Sequence, residues 1–340
     1  MNLLRWLLLP LAGVYGSITA VRNFLFDMRF FKVVQSVIST VGVGNLSMGG
    51  TGKSVVIDFL LRHFKQQYKV AVLSRGYKRR TTGFVLANSQ ANADTIGDEP
   101  YQFYQKHPEC TVAVSESRRK GIAMLEAMPS PPQAIFLDDV LQHRWVKPHF
   151  MIVTTSYRTP YSSDWIFPVG NLREWRSGVK RAHMVLVTKC PETLPENVHD
   201  EFRKKLKLSA TQHLFFTKIA YSEELCNAST QIPLQQLQGK HFVLVTGIAN
   251  PDPLVAHLKN CGLKFTHLSF PDHHRFRAKD ISDIQHQKGA GIVLTTEKDY
   301  GRLRPLLKQQ ELWCLPIVMD FIFAREKAVF LEVLEKRIQD

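Results

Sequence analysis

The sequence predicts an α/β protein with a parallel sheet in its core and a second, smaller α/β domain. Three observations support this fold class. Short apolar runs alternate with helix-like stretches along most of the 340 residues, which is typical of parallel α/β layers. One such run leads through a glycine-rich turn into a helix, and a separate apolar segment begins the chain. Strands are expected at Lys69–Leu73, Ala134–Leu137, Phe150–Thr154, Met184–Thr188, Phe242–Thr246 and Ile292–Thr295.

The N-terminal segment is predicted to be a membrane-associated helix. Residues 6–21 are uncharged and rich in leucine, and Arg5 and Arg22 flank them. As a helix this stretch is roughly 24 Å long, whereas about 30 Å is needed to cross a bilayer upright. A signal peptide is the alternative interpretation. A helix lying in the interface, with a basic flank at Arg22, Arg29 and Lys32, fits the length better.

The next element is a strand, a glycine turn and a helix over VGVGNLSMGGTGKSVVIDFL (41–60). We expect a strand over Val33–Val43, because the run is rich in β-branched residues. The turn ends in Gly52-Lys53-Ser54, as a phosphate-binding P-loop does, although Ser47 stands where the general pattern requires glycine. A glycine-rich structural turn would not need the Lys-Ser pair. A phosphate-binding loop also argues against the signal-peptide interpretation, because export would remove the loop from the cytosolic nucleotide pool.

This geometry predicts a P-loop NTPase-like core that binds ATP and Mg²⁺. Free backbone N–H groups and the helix dipole attract phosphates, and glycines let the backbone approach them closely. Lys53 would contact the β- and γ-phosphates, and the Ser54 hydroxyl would bind Mg²⁺. The predicted nucleotide-binding residues are Ser47, Met48, Gly49, Gly50, Thr51, Gly52, Lys53 and Ser54.

Three acidic or histidine-bearing stretches carry further chemistry. AIFLDD ends an apolar strand in Asp138-Asp139, which is the Walker-B arrangement that holds a metal beside a P-loop. Gly97-Asp98-Glu99-Pro100 is a weak signal alone, because acids before proline are common in loops. Phe270-Pro271-Asp272-His273-His274 shows no third metal ligand, so an acid–base histidine supported by a carboxylate is the better interpretation.

The composition indicates the class of binding partner and the redox compartment of the protein. The formal charge of +14 predicts an acidic partner, and the chain carries no nucleic-acid-binding signature. Together with the apolar N-terminus, this charge favours an anionic lipid. The five cysteines stand apart with no C-x-x-C pair, which argues for a reducing compartment and against a zinc ribbon or a disulfide framework.

Taken in order along the chain, these motifs resemble the tetraacyldisaccharide 4′-kinase family, the lipid A kinases of Gram-negative bacteria. In this family the loop normally carries serine or threonine where Ser47 stands. Val140 and Asn171 depart from a common glycine and a frequent proline, which affects only the expected loop shape. The matching stretches are GNLSMGGTGKS (44–54), SRGY (74–77), GDEP (97–100), LDDVLQHR (137–144), GNLRE (170–174), GIANP (247–251), FPDHHRF (270–276) and TTEKD (295–299).

The resemblance implies an ATP-dependent kinase of the 4′-hydroxyl of tetraacyldisaccharide 1-phosphate at the cytoplasmic face of the inner membrane. It implies Asp98 as the base, assisted by His273, and Mg²⁺ ligands among Ser54, Glu99, Asp138 and Asp139. It further implies a monomer that binds a membrane and an anionic glycolipid but no nucleic acid. The residues implied for the lipid substrate are Arg75, Tyr77, Arg118, Gln142, His143, Arg144, Asn171 and Arg173.

The expected organisation is a membrane-associated helix, a kinase core, a second α/β domain and a C-terminal helical segment that packs back on the core. The corresponding ranges are 1–30, 31–155, 156–300 and 301–340, with a polar, proline-bearing divider at 155–164. Two other functions stay open. A membrane-associated positioning ATPase would carry a lysine before the double glycine, where this chain has Met48, and a soluble small-molecule kinase would not need the apolar N-terminus.

Overall fold

The computed structural model describes residues 3–227, 230–272, 274–308 and 310–339. The chain folds into two units, which we call the core unit (up to residue 219, and again from 319) and the second unit (220–318). The sequence prediction set the boundary at 155/156 instead. The polar segment there connects two strands that are neighbours in one sheet, Phe150–Ser156 and Met184–Thr188, and therefore does not separate the units.

The secondary structure alternates between strands and helices as predicted, so the α/β class is confirmed. The strands are β1 (Ser39–Asn45), β2 (Val70–Ser74), β3 (Val85–Leu86), β4 (Thr111–Val114), β5 (Ala134–Asp138), β6 (Phe150–Ser156), β7 (Met184–Thr188), β8 (His213–Tyr221), β9 (Glu224–Cys226), β10 (Gln231–Pro233), β11 (Phe242–Thr246), β12 (Phe265–Ser269), β13 (Val293–Thr296), β14 (Leu312–Leu315) and β15 (Ile317–Phe321). The helices are α1 (Leu9–Asp27), α2 (Lys53–Phe64), α3 (Ala93–Ile96), α4 (Asp98–Lys106), α5 (Arg118–Glu126), α6 (Val198–Leu206), α7 (Asp252–Asn260), α8 (Ala278–Lys288), α9 (Glu297–Leu303) and α10 (Ala324–Gln339).

The large sheet has the order β15-β8-β7-β6-β1-β5-β2-β4-β3, with parallel pairing from β8 through to β4. Its central strands are buried on both faces, which explains their nearly continuous apolar sequences. One face packs against α2 and the C-terminal helix α10, where Phe330, Leu334 and Ile338 enter the core. The other face packs against α5 and α6. Strand β1 lies between β5 and β6. Its carboxyl end is therefore in the middle of the row formed by the carboxyl ends of the parallel strands.

The expected strand over Val33–Val43 is wrong in its first half, since β1 begins only at Ser39. Val34 makes an isolated bridge with Val146, and Val37 is 89% exposed. Val33 and Val37 therefore lie on the surface before the sheet begins, and Val34 is half-buried. Without partner strands on either side, the β-branched composition there does not produce a strand.

Helix α1 packs along one side of the core unit. Ala12 is buried against Ile166 and Val169, and a side chain at Gly16 would collide with the Trp175 ring at 2.7 Å. The indole N–H of Trp175 donates to the Gly16 carbonyl at 2.8 Å, which fixes this close approach. Among the residues described, no helix combines the length and the hydropathy that crossing a membrane requires.

The second unit contains a six-stranded sheet in the order β10-β9-β14-β13-β11-β12. Strands β14, β13, β11 and β12 pair in parallel, while β9 and β10 are antiparallel at one edge. Apolar clusters cover both faces of this sheet. The unit therefore has a core of its own, as expected for an α/β domain.

Candidate active site

The glycine-rich loop connects the carboxyl end of β1 to the amino end of α2. Gly49 and Gly52 adopt positive φ angles of 108° and 83°, which favour glycine. Thr51 holds the loop to the sheet edge, because its hydroxyl bonds Thr154 at 2.7 Å and accepts from the Asn45 side chain at 2.8 Å. Helix α2 begins directly at Lys53 with no side-chain cap. Its first N–H groups are thus available to an anion.

Lys53 lies at the centre of a polar cluster at the ends of β1 and β5. Its ammonium donates to Oδ1 of Asn45 at 3.1 Å and lies 3.6 Å from Asp139. Arg173 donates to both carboxylate oxygens of Asp139, at 2.8 and 2.7 Å, and to the Asn45 carbonyl at 2.9 Å. A bidentate arginine of this kind fixes the carboxylate in position as well as neutralising it.

Asp138 lies beside this cluster but in different surroundings. One of its oxygens accepts a hydrogen bond from Ser74 at 2.9 Å, and the other, Oδ1, has no partner in the described part of the chain although it is buried. Nearby, the Ser54 hydroxyl donates to Glu99 at 2.8 Å. A buried carboxylate oxygen that is left without a partner is costly, and a cation would satisfy it.

The pKa values of the two adjacent aspartates are consequently shifted in opposite directions. Burial, together with the charges of Glu99 and Asp139, raises the pKa of Asp138 to about 7. Burial would also raise the pKa of Asp139, but the hydrogen bonds from Arg173 and the charge of Lys53 outweigh it and hold that pKa well below its usual range. Asp139 is therefore already paired with protein cations, whereas Asp138 is not.

Mg²⁺ fits this donor set. It binds carboxylate and hydroxyl oxygens and usually takes only one or two protein carboxylates, with water and phosphates filling the remaining positions. Among the described residues, no three histidine, cysteine or acidic side chains are grouped so that they could hold a metal ion by themselves. Ser54, Glu99 and Asp138 offer the suitable oxygens, while Asp139, predicted as a ligand, is occupied by Arg173 and Lys53.

Asp98 stands at the amino end of α4, directly after Gly97, whose φ is 93°. The other end of this helix is tied to α2 through a buried ion cluster. Asp58 of α2 lies 3.0 Å from the Lys106 ammonium and 2.9 Å from Nε2 of His107. The helix that carries Asp98 and the helix that begins at Lys53 are thus linked. His273, the predicted partner of Asp98, lies outside the described residues.

Some of the predicted lipid-binding residues lie on the surface or close to it, and the others form hydrogen bonds within the protein. Arg75 and Tyr77 follow β2 and are exposed. His143 is half-buried, and burial together with the charges of Arg118 and Arg75 lowers its pKa to about 4, so the imidazole is neutral near pH 7. Asn171 is exposed, and its carbonyl accepts from the backbone N–H of Met48.

Arg118, Gln142 and Arg144 instead make contacts within the protein. Arg118 is only 2% exposed and donates to the carbonyls of Ser115 and Asp138, so its guanidinium does not reach the surface as substrate binding requires. Gln142 donates to the Asn45 carbonyl, and Arg144 binds Asp27 of α1 at 2.5 Å. The surroundings of Arg118 favour a role in holding the end of β5.

Two residues of the site were not predicted from the sequence. Asn45 receives hydrogen bonds from Lys53 and Arg173, and its position as the polar last residue of an apolar strand could have indicated it. Glu174 is 3% exposed and accepts from Arg181, Gln142 and Asn23, so it connects α1 to the loop that carries Arg173. Glu174 ends the GNLRE stretch (170–174), but two of its three partners, Gln142 and Asn23, are distant in sequence, so the motif does not indicate this role.

Comparison with protein families gives one match over nearly the whole chain. Residues 4–339 match the family described as tetraacyldisaccharide-1-P 4′-kinase. The chain is 47% identical over 322 residues to a tetraacyldisaccharide 4′-kinase of Flavobacterium johnsoniae, covering 95% of this chain and 94% of that protein. It is 38% identical to the corresponding protein of Bacteroides thetaiotaomicron, covering 94% of this chain and 89% of the relative.

A solved structure shows the same fold. The apo form of LpxK from Aquifex aeolicus, crystallised in complex with ATP, superimposes with a TM-score of 0.79. The two chains are 28% identical, and the match covers 99% of each.

Proposed function

The chain belongs to the tetraacyldisaccharide-1-P 4′-kinase family, and we propose that it transfers the γ-phosphate of ATP to the 4′-hydroxyl of tetraacyldisaccharide 1-phosphate in lipid A biosynthesis. One observation supports the assignment of the reaction to the core unit. Lys53, the paired Asp139 and Arg173, and the partnerless oxygen of Asp138 converge around the open amino end of α2. Phosphoryl transfer requires this combination of positive charge and metal-binding oxygens.

The proposed division of roles follows from these contacts. The loop N–H groups from Ser47 to Ser54 hold the phosphates, and the Lys53 ammonium neutralises charge that builds on the transferred group. Arg173 keeps Asp139 ionised beside Lys53 and so orients the ammonium. Ser54, Glu99 and Asp138 are the residues that would hold Mg²⁺, which would supply positive charge to offset the negative charge of the phosphates during transfer.

Asp98 is proposed to accept the proton of the sugar hydroxyl, with His273 orienting it or tuning its pKa. The protein has little covalent chemistry to do in phosphoryl transfer, but the attacking hydroxyl must still lose a proton to a nearby group. Asp98 has the appropriate residue type and stands at the end of a helix linked to α2 through Asp58. The resemblance of GDEP and FPDHHRF to the family motifs supports the pair.

We propose further that α1 lies in the cytoplasmic face of the inner membrane. Its outer side carries Leu11, Val14, Ile18 and Val21, each 58–63% exposed and spaced three or four residues apart. This spacing forms one apolar stripe along a helix. The stripe is opposite the side that packs on the core, so it is positioned to receive acyl chains or to rest among lipids.

The test separates this function from that of a positioning ATPase. The protein is incubated with γ-labelled ATP and detergent micelles, with and without the tetraacyldisaccharide 1-phosphate acceptor. The proposal predicts label in the acceptor and little free phosphate without it. Rapid ATP hydrolysis that is independent of acceptor, with no label in the lipid, would assign the chain to the ATPase class.

A further inference from the structure

The core unit contains a cavity whose lining includes neither the glycine-rich loop nor Asp138 and Asp139. It has a volume of about 710 Å³ and lies where the carboxyl end of α1 meets the loops before β6 and β7. Its floor is apolar and includes the buried side chains of Val140, Leu141, Val146 and Met151. We call it the basic pocket, after the six cationic side chains in its lining: Arg29, Lys32, Arg144, Lys147, Lys180 and Arg181.

The charge of the basic pocket is largely uncompensated. Its lining contains a single carboxylate, Asp27, which is bound to Arg144. Arg181 is paired with Glu174. The other four cations are exposed, and none forms an ion pair within the described ranges. Four such charges around an apolar floor attract an anion that also carries an apolar part.

The surroundings of the pocket indicate a membrane lipid. Phe30 is 75% exposed, and Val33 and Trp145 are about 40% exposed beside it. Exposed aromatic and aliphatic side chains next to lysines are characteristic of a surface that rests in the headgroup region. A second, apolar cavity of about 390 Å³ lies along α1, and the two cavities share Phe31 in their linings. The apolar cavity offers apolar contacts for an acyl chain, and the cations of the basic pocket offer donors for a phosphate.

The pocket is separate from the active site. Neither cavity is lined by the glycine-rich loop or by Asp138 and Asp139. Val140 and Leu141 of the pocket's floor directly follow Asp139 in the chain, so the pocket adjoins the site at that end. At its other end Met151 is near the start of β6, whereas Thr154, which bonds the loop, lies three residues further along. Three residues of a strand span roughly 10 Å. Because the lining shares no residue with the glycine-rich loop or the two aspartates, a ligand of the basic pocket is not held by the groups proposed to hold the transferred phosphate.

We propose that the basic pocket binds the phosphate headgroup of an anionic glycerophospholipid of the membrane, with one acyl chain along α1. This lipid is a docking ligand, distinct from the acceptor, and it holds the enzyme in one orientation on the bilayer. The proposal rests on the membrane association of α1 proposed above. It gives the unpaired cations a specific ligand instead of a diffuse attraction to negative charge.

The test uses a charge-reversed pocket and a matched control. Lys147→Glu with Lys180→Glu reverses two pocket charges. Lys240→Glu with Lys259→Glu makes the same change in net charge on exposed positions of the second unit. Binding of monomeric dihexanoyl phosphatidylglycerol is measured by calorimetry for the wild type and both variants. Inorganic phosphate and the zwitterionic dihexanoyl phosphatidylcholine serve as the other ligands.

We expect one phosphatidylglycerol per chain, with a Kd raised roughly tenfold or more in the pocket variant and changed by less than about threefold in the control. If phosphatidylglycerol binding is weakened equally in both variants, or does not saturate, the proposed pocket is wrong and the attraction is a diffuse effect of net charge. Equal affinity for inorganic phosphate would overturn the lipid assignment, because the apolar floor would then contribute nothing.

Phosphorylation of the acceptor in detergent micelles separates a failure of the lipid-pocket proposal from a failure of the proposed kinase function. The pocket variant should keep the wild-type KM for the acceptor and the wild-type kcat. A raised acceptor KM would place the pocket in the acceptor site and overturn the separate lipid. Loss of phosphate transfer in the wild type would instead contradict the proposed function, whatever the lipid-binding result.

Discussion

The two neighbouring aspartates at the end of β5 should change stability in opposite directions when their charge is removed. Asp138→Asn removes a charge that the folded protein disfavours, while its carbonyl oxygen can still accept from Ser74. Asp139→Asn removes a charge that Arg173 and Lys53 favour. We therefore expect Asp138→Asn to stabilise the metal-free protein and Asp139→Asn to destabilise it, although both should impair the kinase.

The magnitude for Asp138 follows from its raised pKa. A shift from 3.8 to about 7 corresponds to about 4 kcal/mol at 1.36 kcal/mol per pKa unit, as an upper bound. Since the folded pKa lies above the unfolded one, this destabilisation is absent below pH 3.8, grows as the pH rises and is complete above about 7. Asp139 has a lowered folded pKa, so its stabilising contribution is already full at pH 5 and is lost only in stronger acid.

The assay is thermal unfolding in EDTA between pH 5 and pH 8. The Asp138→Asn variant should gain several degrees in Tm relative to the wild type at pH 8, and this gain should shrink towards pH 5. The Asp139→Asn variant should have a lower Tm than the wild type throughout this pH range. If Asp138→Asn lowers the Tm at pH 8, or if its effect does not depend on pH, the electrostatic account of the site is incorrect.

Three further predictions concern the scaffold, the membrane and the proton transfer. Asp58→Asn should lower the free energy of unfolding in urea by about 3 kcal/mol, because it removes the buried carboxylate that pairs with the Lys106 ammonium and lies within hydrogen-bond distance of His107. Asp94→Asn, in an exposed pair, should cost less than about 1 kcal/mol; equal losses would refute the role of this cluster. Removal of residues 1–22 should release much of the protein from vesicles, and full sedimentation of the truncated chain at high salt would show that another surface binds. Asp98→Ala and His273→Ala should each lower kcat strongly and spare ATP binding, with the double variant scarcely worse than the more impaired single variant; additive losses would separate the two residues.

The strands and the nucleotide loop were predictable because their signals are local. The apolar runs at Met184–Thr188 and Phe242–Thr246 match β7 and β11 residue for residue, since a strand buried on both faces needs an unbroken apolar sequence. The run at 33–38 is also rich in β-branched residues, but it makes only an isolated bridge between Val34 and Val146 and has no neighbouring strand. Sheet pairing is a property of the whole fold, and short windows of sequence do not contain it.

The roles of individual polar residues were less predictable, because they depend on long-range contacts. Arg118 was expected to bind the lipid, yet it is buried and bonds the carbonyls of Ser115 and Asp138. Asp139 and Asp138 are adjacent in sequence, but only the position of Arg173, 34 residues away, makes one a salt-bridge partner and leaves the other with a partnerless oxygen. A motif identifies such residues without distinguishing their tasks.

The central claim is that Lys53 and its loop transfer phosphate from ATP to the lipid acceptor. The most direct measurement is single-turnover transfer of labelled γ-phosphate to tetraacyldisaccharide 1-phosphate in micelles, with the wild type and Lys53→Ala compared at saturating ATP. The account predicts label at the 4′-hydroxyl and a transfer rate that is about 10²-fold lower or more in the variant, because the ammonium no longer neutralises the developing charge. Transfer by Lys53→Ala within a few-fold of the wild-type rate would contradict it.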